Sequence, residues 1–545
     1  MGTNIDAIIL AEKENWGPAL EDFINQYLET FTLPELNEGT RRKDVWNALY
    51  NIAKLSEDQK IIKNAFIAVR ILSREKDHLA ELINDDWIDL MMKLSGLNDD
   101  SFQFDTDNMN VRVEILRCLS NILFNSEQMA INSVNNGILD GLVKSINHFS
   151  NETILYEIKL LEIKLVFLIT ALRRDAREKV FHLMATLIQI LEDILKEAAD
   201  VINLNNEQSH IPPLFLTDNQ AELACEVLKV LFNITINVNT SVDPEVLANC
   251  YTLVKTLRSY LIISSLIKEK TNNLRKDVIH LLVNMPDETY KELIPSSKDN
   301  RNKITLEFEG HNMTVVYEIL MFLDTKLRDN LNIDRQHDSL CPVITVLLKG
   351  SSSNRLIRKF LRNQILPPLT DVHSRPEEGD TLRNHLCRLL TSPLIHLRNV
   401  VGKFLFVLCK KNASRMIKYT GYGNAAGFFA QEGLLVKGQV QDGDESSSDD
   451  SETEEYAEHK HGIDPVKGCY EELQRKSALE NMTDEQKEYE AMKLAELMNN
   501  MLETGIIKPC TLGEDGKPKP IEHVLQLQEG LKNQMLNKNE NDDSD

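Results

Sequence analysis

At 545 residues the chain exceeds what one hydrophobic core can serve, so it must divide into domains or stack small repeating units. Hydrophobic residues at 42%, charged residues at 27%, and only 22 Gly and 16 Pro favour helix over an all-β chain, which needs more turns. The net charge of −23 falls mostly in residues 442–545, where 27 acids face 11 Lys or Arg; with the body mildly acidic too, this argues against nucleic acid as a principal ligand.

In chain order, the opening Met1-Gly2-Thr3-Asn4-Ile5-Asp6 lacks the Ser or Thr of a myristoylation signal and is too polar for a secretory leader. No run reaches the roughly 18 apolar residues of a membrane span. One pattern then recurs: an acid, two apolar residues, two variable ones, Leu, one variable, Asn, and Ile or Met. It occurs at Asp44 to Ile52, Glu114 to Ile122, Glu226 to Ile234 and Asp277 to Met285. Its apolar positions fall three and four apart, which predicts a helix with one buried stripe and the Asn off that stripe. Such a helix cannot bury its face alone, whereas stacked copies can, as in armadillo and HEAT arrays. The predicted fold is therefore all-α, an armadillo/HEAT-like helical solenoid over residues 1–430. A row of Asn amides, Asn121 among them, is expected to line its concave face and bond a peptide. Asn233-Ile234-Thr235 reads as a chance glycosylation triplet in an intracellular chain.

Basic residues at helical spacing stand out in an acidic protein because they can offer a positive groove to an anionic partner. Arg70 and Arg74 share one helix face, and so do Arg355, Arg358, Lys359 and Arg362 in NRLIRKFLRNQILPPL. The plainer alternative is pairing with neighbours such as Glu75 or Asp77. The body is expected to end near Gly421-Tyr422-Gly423-Asn424-Ala425-Ala426-Gly427, whose GxGxxxG spacing after a helix does not fit a dinucleotide loop.

Residues 431–460 read as an acidic, partly disordered linker. Ser446, Ser447 and Ser451 each have an acid three residues downstream, the pattern of an acidophilic, casein-kinase-type kinase. Residues 461–545 read as a helical tail. Thr483 to Gln486 forms a capping box, Met492, Ala495, Met498 and Leu502 follow as a stripe with Leu494 beside it, and Gly505 is the stop. Ile521, Val524, Leu525, Gln528 and Leu531 mark a second amphipathic segment. The eight Cys form no CxxC pair, so reduced cytoplasmic thiols are expected rather than zinc or disulfides. No nucleotide-binding lysine loop, HExxH, GxSxG or kinase signature is present, and His459-Lys460-His461 reads as solvated tail. Neither an enzyme nor a cofactor is expected.

Five stretches together resemble one family: FLFVLC at 404–409, IKYTGYGNAAG at 417–427, ILPPL at 365–369, VLKVLFNIT at 227–235 and MTDEQKEYEAMKL at 482–494. The family is synembryn, or resistance to inhibitors of cholinesterase. The resemblance implies a cytoplasmic chaperone and guanine nucleotide exchange factor for heterotrimeric G-protein alpha subunits. The client would recruit it to the cell cortex or plasma membrane. It also implies that the client's C-terminal helix enters the concave groove, with Arg70, Arg74 and Asn121 at its end and Arg355, Arg358, Lys359 and Arg362 as a second basic wall. Tail residues Met492, Leu494, Met498 and Leu502 would meet the client's switch region. An acidophilic kinase and a neuronal calcium sensor are further candidate partners. The competing reading is a generic armadillo adaptor.

Overall fold

The computed structural model describes residues 4–37, 39–76, 79–98, 106–149, 154–205, 215–236, 243–265, 267–297, 306–329, 333–434, 453–470, 482–504, 510–512 and 518–520. They form two compact units, Met1–Leu293 and Ile294–Asp545.

The first unit is a ladder of five helices, each packed on the next: α1 (Gln59–Leu72), α2 (Thr106–Asn125), α3 (Tyr156–Leu172), α4 (Asp218–Thr235) and α5 (Lys268–Asn284). A second layer backs it. Trp16–Tyr27 and Arg41–Leu55 cover α1, Asp85–Ser95 covers α2, Met184–Asn205 covers α4, and Pro244–Ile262 covers α5. The stripe predicted from spacing is the buried one: Ile115, Leu116, Leu119 and Ile122 in α2, and Val227, Leu228 and Leu231 in α4, are all buried. This is the stacked-helix arrangement of armadillo and HEAT repeats. Three copies of the recurring motif lie on the ladder, in α2, α4 and α5, while the copy at 44–52 lies in the backing layer. Ladder helices α1 and α3 lack the terminal Asn and so escaped the pattern.

The motif asparagines work inside the stack. Asn233 Nδ2 on α4 donates to Phe167 O (3.4 Å) and Thr170 Oγ1 (3.0 Å) at the end of α3. Asn284 Nδ2 on α5 repeats this one step later, on Phe232 O (3.0 Å) and Thr235 Oγ1 (3.2 Å) of α4. Asn121 Nδ2 reaches Arg70 O at 3.3 Å, and Asn125 Nδ2 reaches Ser73 O at 2.8 Å. Arg70 O, Phe167 O and Phe232 O also accept from Ser73 Oγ, Thr170 Oγ1 and Thr235 Oγ1 of their own helix ends, and the next ladder helix adds a second donor. Asn233 and Thr235 of the apparent glycosylation triplet are thus buried structural groups.

In the second unit, α6 (Ile333–Ser353) packs on α7 (Arg355–Ile365) and α8 (Ile395–Leu408), and α8 carries α9 (Tyr422–Glu432). Residues 453–470 return to this body. The short helix α10 (Glu454–His459) starts where Thr453 Oγ1 donates to Leu369 O, and a hairpin pairs Ile463–Asp464 with Cys469–Tyr470. Tyr470 N donates to Val372 O at 2.6 Å, Tyr422 N to Pro465 O at 2.8 Å and Gly423 N to Val466 O at 2.9 Å. The 421–427 glycines therefore serve backbone approach. Gly421 and Gly468 both have φ +72°, and a Cβ on Gly468 would lie 2.9 Å from Gly421 Cα. The stretch assigned to an acidic linker thus includes a packed portion at 453–460, and its rings take part: His459 lies edge-on to Tyr470 and His373. The last helix among the described residues, α11 (Asp484–Glu503), opens with the expected capping box: Gln486 N donates to Thr483 Oγ1 at 3.3 Å and Thr483 N to Gln486 Oε1 at 3.1 Å. Among the described residues no helix is long and apolar enough to cross a membrane.

Candidate functional site

Arg70 is on the last turn of α1 and Arg74 just beyond it. Arg70 Nε lies 3.0 Å from Glu114 Oε2 on α2, and Arg117 holds the other oxygen of that buried carboxylate. Arg74 Nη1 donates to Leu28 O and Thr30 O, both at 2.8 Å. Burial, with Arg70 nearby, lowers its pKa from the ordinary value, but a guanidinium stays charged. The neighbouring Glu75 is engaged elsewhere, by Arg42 and by Leu33 N, and Asp77 lies outside the described residues. Two phenylalanines stand out beside these cations. Phe31, 71% exposed, lies under Arg74 at 5.2 Å, and Phe124, 70% exposed, lies under Lys76 at 6.0 Å. The result is a mixed aromatic and cationic patch suited to an amphipathic segment with a terminal negative charge. Sequence reading missed both rings, because a lone Phe at a helix end or in a loop carries no periodic signal.

Farther along the ladder, α3, α4 and α5 line a cleft of about 470 Å³ that includes Lys164, Lys229, Lys270, Lys276, Glu222, Glu226 and Asp277. Burial raises the Asp277 carboxyl pKa, and burial, with Asp277 next, pushes the Cys225 thiol up to about 12. Its charges largely answer one another: Lys229 holds Glu226 at 2.9 Å and Lys270 holds Glu222 at 2.8 Å.

In the second unit the predicted basic cluster is brought together. Arg355, Arg358, Lys359 and Arg362 line one cleft of about 330 Å³, joined by Lys410, with Leu366, Pro368, Leu408 and Tyr419 as apolar wall. The N-cap Asn354 accepts from Leu356 N and Ile357 N and so fixes the start of α7. Lys359 Nζ meets Glu309 at 2.7 Å and Arg358 Nη1 donates to Ser351 O at 3.0 Å. Burial, then the charge of Arg355, lowers the Arg358 pKa. Five cations around one opening make an anion-binding environment.

On α11, Met492 (62% exposed) and Leu494 are open to solvent, with Tyr489 and Leu497. Met498 and Leu502 belong to the same helix, and their side chains lie outside the described residues. Ser446, Ser447, Ser451, Gly505 and the segment from Ile521 to Leu531 are likewise outside them.

The family model described as guanine nucleotide exchange factor synembryn, Ric8, matches residues 65–517. A Drosophila melanogaster protein named Chaperone Ric-8 is 32% identical over 567 residues, covering 95% of this chain and 96% of that one. Chaperone Ric-8A of Gallus gallus is 35% identical over 84% of each chain, and that of Mus musculus is 32% identical over 96% of each. A match of this extent spans both units and the motifs from α4 to α11, and the chain belongs to the synembryn family of guanine nucleotide exchange factors.

Proposed function

We propose that the chain is a chaperone and nucleotide exchange factor for heterotrimeric G-protein alpha subunits, and that it needs no catalytic chemistry of its own. The observation that carries this reading is the family match across residues 65–517, with relatives named as chaperones. The mechanism is linkage. A protein that binds the nucleotide-free client more tightly than the GDP form weakens GDP by the same factor, and GTP in turn weakens the complex. Holding an incompletely folded client also shields apolar surface that would otherwise aggregate.

The patch of Arg70, Arg74, Phe31 and Phe124 receives the client's C-terminal helix. The two rings offer apolar contact and the guanidiniums face the terminal carboxylate, with Asn121 fixing the local backbone rather than touching the client. The exposed side chains of α11, Met492 and Leu494 among them, contact the client's GTPase domain. The cleft of Arg355, Arg358, Lys359 and Arg362 takes an anionic group, and phosphate placed on Ser446, Ser447 or Ser451 by an acidophilic kinase is one source. The experiment is GDP release from a purified alpha subunit, with and without the full chain, alongside calorimetry with the client's C-terminal peptide. Phe31→Ala with Phe124→Ala should weaken the peptide about tenfold or more at unchanged helix content. GDP release unaffected by the wild-type chain would overturn the function; unchanged peptide affinity in the double variant would overturn only the site.

A further inference from the structure

Away from these surfaces, three metal-ligating side chains converge in the second unit. His337 and Cys341 are one turn apart on α6, hence on one face, and His396 is the second residue of α8, which packs along α6. His337 Nε2 lies 3.3 Å from His396 Nδ1, Cys341 Sγ lies 3.6 Å from the same atom, and all three donors fall within 4.8 Å of one another. We propose that His337, Cys341 and His396 form a zinc site that staples α6 to α8 and leaves a fourth position open to water.

Three observations carry this. Tetrahedral zinc with Zn–N of about 2.05 Å and Zn–S of about 2.3 Å separates two nitrogens by about 3.3 Å and a nitrogen from a sulfur by about 3.6 Å. The His337–His396 and Cys341–His396 separations match those edges. Secondly, hydrogen bonds alone serve the cluster badly. A neutral imidazole Nδ1 has one lone pair or one proton, yet His396 Nδ1 faces both the His337 nitrogen and the Cys341 sulfur. Thirdly, Asp338 Oδ1 stands 3.1 Å from His337 Nδ1. A carboxylate there keeps the proton on Nδ1 and turns the Nε2 lone pair toward the ion, as outer partners of zinc-bound histidines do.

Two imidazoles and a thiolate suit zinc over magnesium or calcium, which take oxygen ligands. Binding converts the Cys341 thiol to thiolate, forming the Zn–S bond and releasing one proton to water. Cys341 is the buried member of the three. His396 is exposed and His337 half-buried, which gives the ion a way in. Because α7 packs on both α6 and α8, the staple would stiffen the scaffold beneath the cationic cleft.

The test uses the full chain, stripped with chelator and titrated with Co²⁺, then Zn²⁺. One equivalent of Co²⁺ should give a thiolate-to-cobalt charge-transfer band with tetrahedral d–d bands, displaced by one equivalent of zinc. Cys341→Ser should lose the charge-transfer band, and His396→Ala, a change at an exposed position, should weaken Co²⁺ by at least ~10-fold. Cys510→Ser, at an exposed thiol elsewhere, should change neither. Zinc should raise the melting temperature of the wild type and not of His396→Ala. Absence of a saturable one-equivalent band, or a band that survives Cys341→Ser, would overturn the proposal.

Discussion

Arg70→Ala removes one of two cations that hold Glu114, whose side chain keeps 5% of its surface exposed and lies 3.0 Å from Arg70 Nε. Removing a partner from a buried ion pair costs about 3–5 kcal/mol when nothing replaces it. Arg117 remains on the other carboxylate oxygen, but at 39% exposure it is partly screened by water, which brings the expected loss to about 2 kcal/mol. Arg70→Glu places a second carboxylate beside Glu114 and should cost about 3–4 kcal/mol. At roughly 2–4 °C per kcal/mol for a unit of this size, Arg70→Ala should melt about 4–8 °C below the wild type. Scanning calorimetry reads this shift directly. A cycle with Glu114→Gln should return a coupling of about 1–2 kcal/mol. Coupling indistinguishable from zero, or an unmoved melting temperature in Arg70→Glu, would refute the account of Glu114 as a buried acid bracketed by two arginines. Any loss of client capture in such variants must therefore be read beside their melting curves.

Gly468→Ala should destabilise the second unit by about 2 kcal/mol or more, through a left-handed backbone and a Cβ set against Gly421 and Pro376; wild-type stability in urea would contradict this. Asn284→Ala should cost about 1 kcal/mol by removing one of two side-chain donors to Phe232 O, which keeps Thr235 Oγ1, and the protection of the last α4 amides against hydrogen exchange should fall with it. Truncation after Tyr470 should keep the melting temperature of the second unit, whereas truncation near Leu435 should lower it by removing the bonds to Val372, Tyr422 and Gly423; equal curves for the two would show that the return of the chain contributes nothing.

Helical periodicity made α2, α4 and α5 legible, because a stripe buried on one face leaves a three-and-four spacing whatever lies around it. The same rule missed α3, whose run from Leu165 to Ile169 is apolar almost all round, since it is covered on more than one side. The role of the motif asparagines was not legible. Nothing local distinguishes an amide that bonds a ligand from one that bonds the carbonyl of a helix some 50 residues away. Arg355 to Arg362 could be grouped from spacing alone, because one helix turn sets their neighbours. Lys410 could not, since only the packing of α7 near the end of α8 brings it there. For the same reason His396 carries no sequence signal: metal-ligand spacing rules describe ligands within one loop, and here it stands 55 positions from Cys341 across a helix pair.

The asparagine ties also impose a direction on assembly. In three steps, α1 to α2, α3 to α4 and α4 to α5, an Asn of the later helix adds a donor to a carbonyl near the end of the earlier one, so full bonding at that end awaits arrival of the next helix. During synthesis a stack ending at α1, α3 or α4 would carry a newest helix whose end still lacks that added donor. Partners are separated by roughly one repeat in sequence, which keeps loop closure inexpensive and folding local despite the length of the unit. A chain halted inside α5 should therefore present α1 to α3 with native protection and the end of α4 less protected than in the complete stack, a pattern that pulse-labelled hydrogen exchange on stalled chains can read.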